Sequence, residues 1–175
     1  MSTLSRALIF AARKHRDQRR LDQVASPYIN HPISLMHVLI EEGGIDSTEV
    51  ICAALLHDTV EDTETTHEEL MELFGESVAG MVLEVTDDKQ LEKLARKRAQ
   101  VEHAPHLSIG AKAVKLADKI SNLRDLIHSP PDGWSMARRQ AYFDWALEVI
   151  DGLRGDHPAL EAIFDSHYEQ RPAGD

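Results

Sequence analysis

The sequence predicts an all-α protein. Apolar residues recur at helical i, i+3, i+4 spacing along nearly the whole chain, and no alternating strand pattern of useful length appears. Capping residues, prolines and glycines punctuate these runs at helix-length intervals. A first helix is expected over about 3–16, followed by a loop through LDQVASPY. Pro32 suits the first turn of a second helix, ISLMHVLIEE, because a helix start has no use for the N–H that proline lacks. Gly43-Gly44 stops that helix, and Asp46 or Ser47 then caps a third, TEVICAALLHD. Thr65 or Thr66 with Glu68 or Glu69 makes a capping box for ELMELF, which Gly75 ends. Further helices are expected over about 77–86, 90–103, 109–128, 135–153 and 158–170, separated by APHLS, SPPDGW and RGDHP. The pattern is one domain over residues 1–175, built of about eight to ten short helices rather than a regular four-helix bundle.

Composition narrows the functional classes. The apolar runs fall short of a membrane span, and the N-terminus, MSTLSRALIF, lacks a basic region followed by a long apolar stretch. The one cysteine, Cys52, excludes an internal disulfide and sits in the apolar run VICAALL as a core thiol. These features lead us to expect a soluble, cytoplasmic protein that engages no membrane. The net charge of −11 argues against nucleic acid as a partner, since that affinity rests on phosphate neutralisation by Lys and Arg. The charge is unevenly spread, however. Residues 41–76 carry twelve acidic groups and no Lys or Arg, whereas residues 89–124 carry nine basic groups against three acidic ones. RKHRDQRR, 13–20, adds five basic residues against one. Taken singly each stretch is a solvated helix face, but converging stretches can recognise a small, highly charged anion.

The segment LLHDTVEDT, 55–63, sets His57, Asp58, Glu61 and Asp62 at the end of an apolar helix. His and Asp together form an N/O donor set suited to a divalent ion. Adjacent residues diverge by about 100° on a helix, so His57 and Asp58 flank one ion only near a helix end or wall. Glu61 and Asp62 follow four residues later, and one further helical turn would put all four on one wall. A lone His-Asp pair is weak evidence. His31, in SPYINHP, and Asp118, beside the apolar stripe of VKLADKISNLRDL, strengthen it, because a carboxylate against such a stripe requires a partner. The other eight histidines show no ligand spacing, which favours a single metal ion over two.

The order H…HD…D in an all-α chain resembles the HD-domain metal-dependent phosphohydrolases. HDTVEDT, PYINHP, VTDDK and VKLADKISNLRDL, in register from about residue 5 to about 150, are similar to the hydrolase domain of the RelA/SpoT family, and the chain resembles its stand-alone small alarmone hydrolases. That resemblance implies a Mn²⁺-dependent enzyme removing the 3′-pyrophosphate of ppGpp or pppGpp, with a guanine nucleotide alarmone as substrate and a place in the stringent response. It implies His31, His57, Asp58 and Asp118 as metal ligands and Glu61 and Asp62 as the catalytic pair, with their acid and base roles left open. Arg20 aligns with an arginine that packs on the guanine base; Asn122 and Arg124 align near the nucleotide, and Tyr142 is a candidate for the ribose or phosphates. Many relatives have Lys after that arginine where this chain has Leu21. The departure keeps open an HD phosphatase for another nucleotide such as NADPH; a non-catalytic nucleotide-binding HD protein is the third reading. The oligomeric state is left open.

Overall fold

The computed structural model describes residues 2–173. Ten α-helical segments account for most of them: α1 (Thr3–Lys14), α2 (Asn30–His37), α3 (Thr48–Leu56), α4 (Thr59–Asp62), α5 (His67–Phe74), α6 (Glu76–Val85), α7 (Lys93–His103), α8 (Ile109–His128), α9 (Met136–Asp151) and α10 (Pro158–Tyr168). A π-helical turn, Val38–Glu42, extends α2, and a 3₁₀ turn, Ala104–His106, follows α7. The extended pairing among the described residues is one isolated bridge, Arg19 to Pro27. No helix among them is long and apolar enough to cross a membrane.

The helix starts follow local chemistry. Ser2, Ser47, Thr66, Ser108 and Ser135 each accept a backbone N–H three residues on, satisfying donors that a helix start leaves unpaired. Of the two threonines offered for the fifth helix, Thr66 is the cap. Gly75 ends that helix at φ 89°, a left-handed conformation natural to glycine. The main departure from the periodicity lies in the third helix. It stops at Leu56, and a separate single turn, α4, begins at Thr59, so His57 and Asp58 occupy a joint rather than a continuous wall.

The core forms around α3 and α8. In α3 the six residues Ile51 to Leu56 are all buried, and α8 buries Ala113, Val114, Leu116, Ala117, Ile120 and Leu123 among others. α8 packs against α2, α3, α6, α9 and α10, and buried apolar residues from these helices and from α1 and α5 form one contiguous cluster. α7 buries no residue and packs chiefly on α9, which leaves its basic face at the surface. Leu56 is fully buried immediately before the joint. Leu56→Ala is expected to cost about 2–5 kcal/mol in unfolding free energy, measured by urea denaturation.

Candidate active site and metal centre

The joint after α3 is held by side chains. His57 Nδ1 donates to the carbonyl of Ala54 at 2.8 Å, and Thr59 Oγ1 donates to that of Leu56 at 2.7 Å. Both satisfy carbonyls that the end of α3 would leave open. With the proton on Nδ1, Nε2 of His57 presents its lone pair inward, the arrangement usual for a metal-bound imidazole. That nitrogen is buried without a hydrogen-bond partner. It lies 2.8 Å from Asp58 Oδ2, in a direction that places the two atoms side by side rather than in a hydrogen bond.

His31, the second residue of α2, and Asp118, in α8, converge on the same point. His31 Nε2 is 3.2 Å from Asp118 Oδ1, and one donor atom from each of His31, His57 and Asp118 lies within 4.8 Å of the others. Tyr28 Oη donates to Asp58, Asn122 Nδ2 donates to Asp118 at 2.7 Å, and Lys119 Nζ lies 3.1 Å from Asp118. Two imidazoles and two carboxylates around an orphaned buried nitrogen fit a divalent cation.

The electrostatics follow from crowding. Burial opposes a charge on His57, but the Asp58 carboxylate beside it prevails and pushes its pKa up to about 8. Burial opposes charge on Asp58 and Asp118 too. His57 outweighs it at Asp58, and Lys119 with His31 at Asp118, so both carboxyls fall below the usual range. Burial holds His31 below the ordinary histidine value. Glu61 is raised, first by burial and then by Asp87, Asp58 and Asp62, although its Oε2 accepts the Asp87 N–H at 3.1 Å. Asp62 pairs with Lys89, and its carbonyl accepts from Gln18 Nε2 at 2.7 Å.

Three connected spaces surround this cluster. A polar cavity of about 210 Å³ contains His31, His57, Asp58, Glu61, Asp62 and Asp118. Through Arg20, Tyr28 and Asn122 it adjoins a more apolar pocket of about 200 Å³ walled by Leu21, Leu126, Pro131, Trp134 and Tyr142. A cleft of about 400 Å³ carries Lys93, Arg96, Lys97 and Arg138, sharing Leu21, Trp134 and Tyr142 with the apolar pocket and Asp87 and Gln100 with the polar cavity.

The structure thus brings together His31, His57, Asp58, Asp118, Glu61, Asp62, Arg20, Asn122 and Tyr142. Arg20 Nη2 donates to Asn122 Oδ1 at 3.2 Å, pairs with Asp125 and lies over the Tyr28 ring. The structure does not bring Arg124 into the group. Its guanidinium binds Glu42 through two bonds of 2.7 and 2.6 Å and donates to His167 at 3.0 Å, joining α8 to the π turn and α10. Arg124 lies two residues beyond Asn122, about 200° around the helix, and so faces away. Sequence reasoning missed Asp125, Lys115 and Tyr28. Asp125 and Lys115 stand at i+7 and i−3 from Asp118, a spacing that could have found them; Tyr28 lies in the PYINHP motif beside His31, but no spacing there links it to Asp58.

The chain matches the HD domain family over residues 7–143 and belongs to it. It is 58% identical over 156 residues to guanosine-3′,5′-bis(diphosphate) 3′-pyrophosphohydrolase MESH1 of Xenopus tropicalis, covering 89% of this chain and 87% of that one. The Homo sapiens protein of the same name is 56% identical over 168 residues, covering 96% and 94%. A solved structure described as a metazoan ortholog of SpoT that hydrolyzes ppGpp superposes with a TM-score of 0.94 at 48% identity, covering 98% of this chain and 96% of that one.

Protonation gives a direct check on the site. A metal ion must displace the proton that His57 holds up to about pH 8, so apparent affinity for a divalent ion is expected to climb as pH rises toward 8 and then level off. The metal-free protein behaves oppositely. Its His57 pKa lies above the unfolded value of about 6.5, so the stability from the His57–Asp58 pair is complete below that pH and is lost as pH passes through about 8. His31, which burial holds below the same unfolded value, adds an opposing gain as pH rises through about 6.5 and none near pH 8. Metal-buffered titrations and thermal melts of chelator-treated protein between pH 6 and 9 read the two effects.

Proposed function

We propose that this protein hydrolyses the 3′-pyrophosphate of guanosine alarmones, converting ppGpp or pppGpp to GDP or GTP plus pyrophosphate, with one Mn²⁺ ion. The observation that carries this reading is that the polar cavity adjoins both an apolar pocket and a cationic cleft. This layout suits a nucleotide that bears phosphates at both ends of its ribose. The names of the MESH1 relatives and of the structural neighbour support the same chemistry.

In this reading His31, His57, Asp58 and Asp118 hold the ion, which when bound polarises a phosphoryl group and lowers the pKa of a coordinated water. The Asn122 and Lys119 contacts fix the Asp118 carboxylate, and Tyr28 fixes that of Asp58. Glu61, raised by burial, is the proton acceptor for the attacking water, since a carboxyl nearer neutrality exchanges protons better at physiological pH. A bond forms from the water oxygen to the phosphorus next to O3′, and the bond from that phosphorus to O3′ breaks. The ribose oxygen takes a proton, leaving GDP and pyrophosphate. Asp62 assists that proton exchange and is held in place by Lys89 and Gln18. Arg20 offers the base a flat cationic surface. Lys93, Lys97 and Arg138 face the 5′-phosphates with the unpaired positive charge that such a group requires, and Tyr142 lines the passage between them.

Incubation of the Mn²⁺-loaded protein with a panel of phosphorylated nucleotides is expected to release pyrophosphate and GDP in equal amounts from ppGpp. Orthophosphate from NADPH with ppGpp left intact would overturn the assignment. Glu61→Ala combined with Asp62→Ala is expected to lower kcat by roughly 10²–10⁴ while leaving bound metal per chain unchanged, measured by elemental analysis.

A further inference from the structure

A fourth space lies behind the polar cavity, away from the apolar pocket. It measures about 130 Å³ and shares Val85, Asp87, Gln100 and Lys115 with the polar cavity. A single water requires only about 10–15 Å³ of such space. It runs from buried Lys115, only 8% exposed, to a rim that includes exposed Leu91 and His103.

Three carboxylates, Glu84, Asp87 and Asp88, and two strong cations, Lys115 and Arg96, line this space, and the carboxylates are each held by neutral donors. Glu84 accepts the N–H and hydroxyl of Ser108, Asp87 accepts the Gln100 amide through both oxygens, and Asp88 accepts the Gln90 N–H. The cations are not engaged in this way. Lys115 Nζ makes one hydrogen bond, to the carbonyl of Val85 at 3.1 Å, leaving two of its three N–H groups free. Arg96 makes no ion pair among the described residues, and its Nε is buried without a partner. Burial, with Lys119 beside it, outweighs the attraction of Asp118, Asp87 and Asp58 and disfavours the Lys115 ammonium, so an arriving anion would stabilise it.

We infer that this rear space is the subsite for the pyrophosphate released by the reaction, gripped by Lys115 at its inner end and Arg96 along its wall. The inference rests on the hydrolase reading above and deepens it. The apolar pocket proposed for the base shares no lining residue with this space, whereas the cationic cleft shares Asp87, Arg96 and Gln100 with it, so base and released pyrophosphate occupy separate pockets. The guanidinium of Arg96 suits a phosphate by shape, and Lys115 acts as a point charge where the bond has just broken.

Equilibrium dialysis of radiolabelled inorganic pyrophosphate, with Mn²⁺ in excess over it, tests this on the metal-loaded protein. Lys115→Met is expected to weaken pyrophosphate binding at least tenfold with GDP binding unchanged, and Arg96→Met to weaken pyrophosphate binding about threefold or more. Lys115→Arg is expected to retain most of the affinity. Arg96 sits on a helix that buries nothing, so Arg96→Met keeps the test usable should Lys115→Met fold poorly. Equal pyrophosphate affinity in the wild type and Arg96→Met overturns the assignment of the space. Equal affinity in the wild type and a folded Lys115→Met overturns the role of the lysine. A wild type that leaves ppGpp intact counts against the hydrolase reading instead, so the two failures are told apart.

Discussion

The site depends on one buried carboxylate. Asp118 lies on α8 among residues that build the core, where an unpaired negative charge would cost several kcal/mol. Its oxygens are met by His31 from α2 and by Lys119 and Asn122 from α8 itself. Asn122 then holds Arg20, which lies over Tyr28, and Tyr28 reaches Asp58. Satisfying Asp118 therefore aligns metal candidates and residues lining the adjoining apolar pocket in one network, and removing it would leave several cations and donors without a partner.

A second constraint is the interruption after α3. A continuous helix would have turned His57 and Asp58 about 100° apart and kept the Ala54 and Leu56 carbonyls in the helical ladder. The break at Leu56 lets both side chains face the same space, with Thr59 and the His57 ring taking over the freed carbonyls. α4 is only one turn long, and isolated turns are not stable on their own. Its geometry comes from contacts made around it, including Gln18 to Asp62 and Asp87 to Glu61. The proposed catalytic pair is thus positioned by distant segments rather than by helix propensity.

Much of this was legible in the residues. Ser caps, glycine stops and apolar periodicity marked helices such as α8, whose limits agree with those expected. His57, Asp58 and Asp118 announced themselves as polar groups set against apolar stripes. The joint at His57 was not legible, because TEVICAALLHDTVED carries neither glycine nor proline and its break is enforced by side-chain bonds. Arg124 looked equivalent to Asn122 in SNLRDL, and only its angle around α8 sends it to Glu42. Tyr28 and Gln18 act through contacts that span long stretches of chain, which local pattern does not reveal.

Leu21 stands 71% exposed at the mouth of the apolar pocket, with Val24 80% exposed on the same loop. A leucine left in water there is a small reservoir of apolar surface waiting for a cover. A planar base seated beside it would remove that surface from solvent, and apolar burial on association carries a negative heat-capacity change. A lysine at the same position would keep its ammonium hydrated and bury mainly its stem. The contact proposed for that corner would thus rest on a force that salt does not screen and that weakens on cooling, giving it a temperature signature rather than an ionic-strength one.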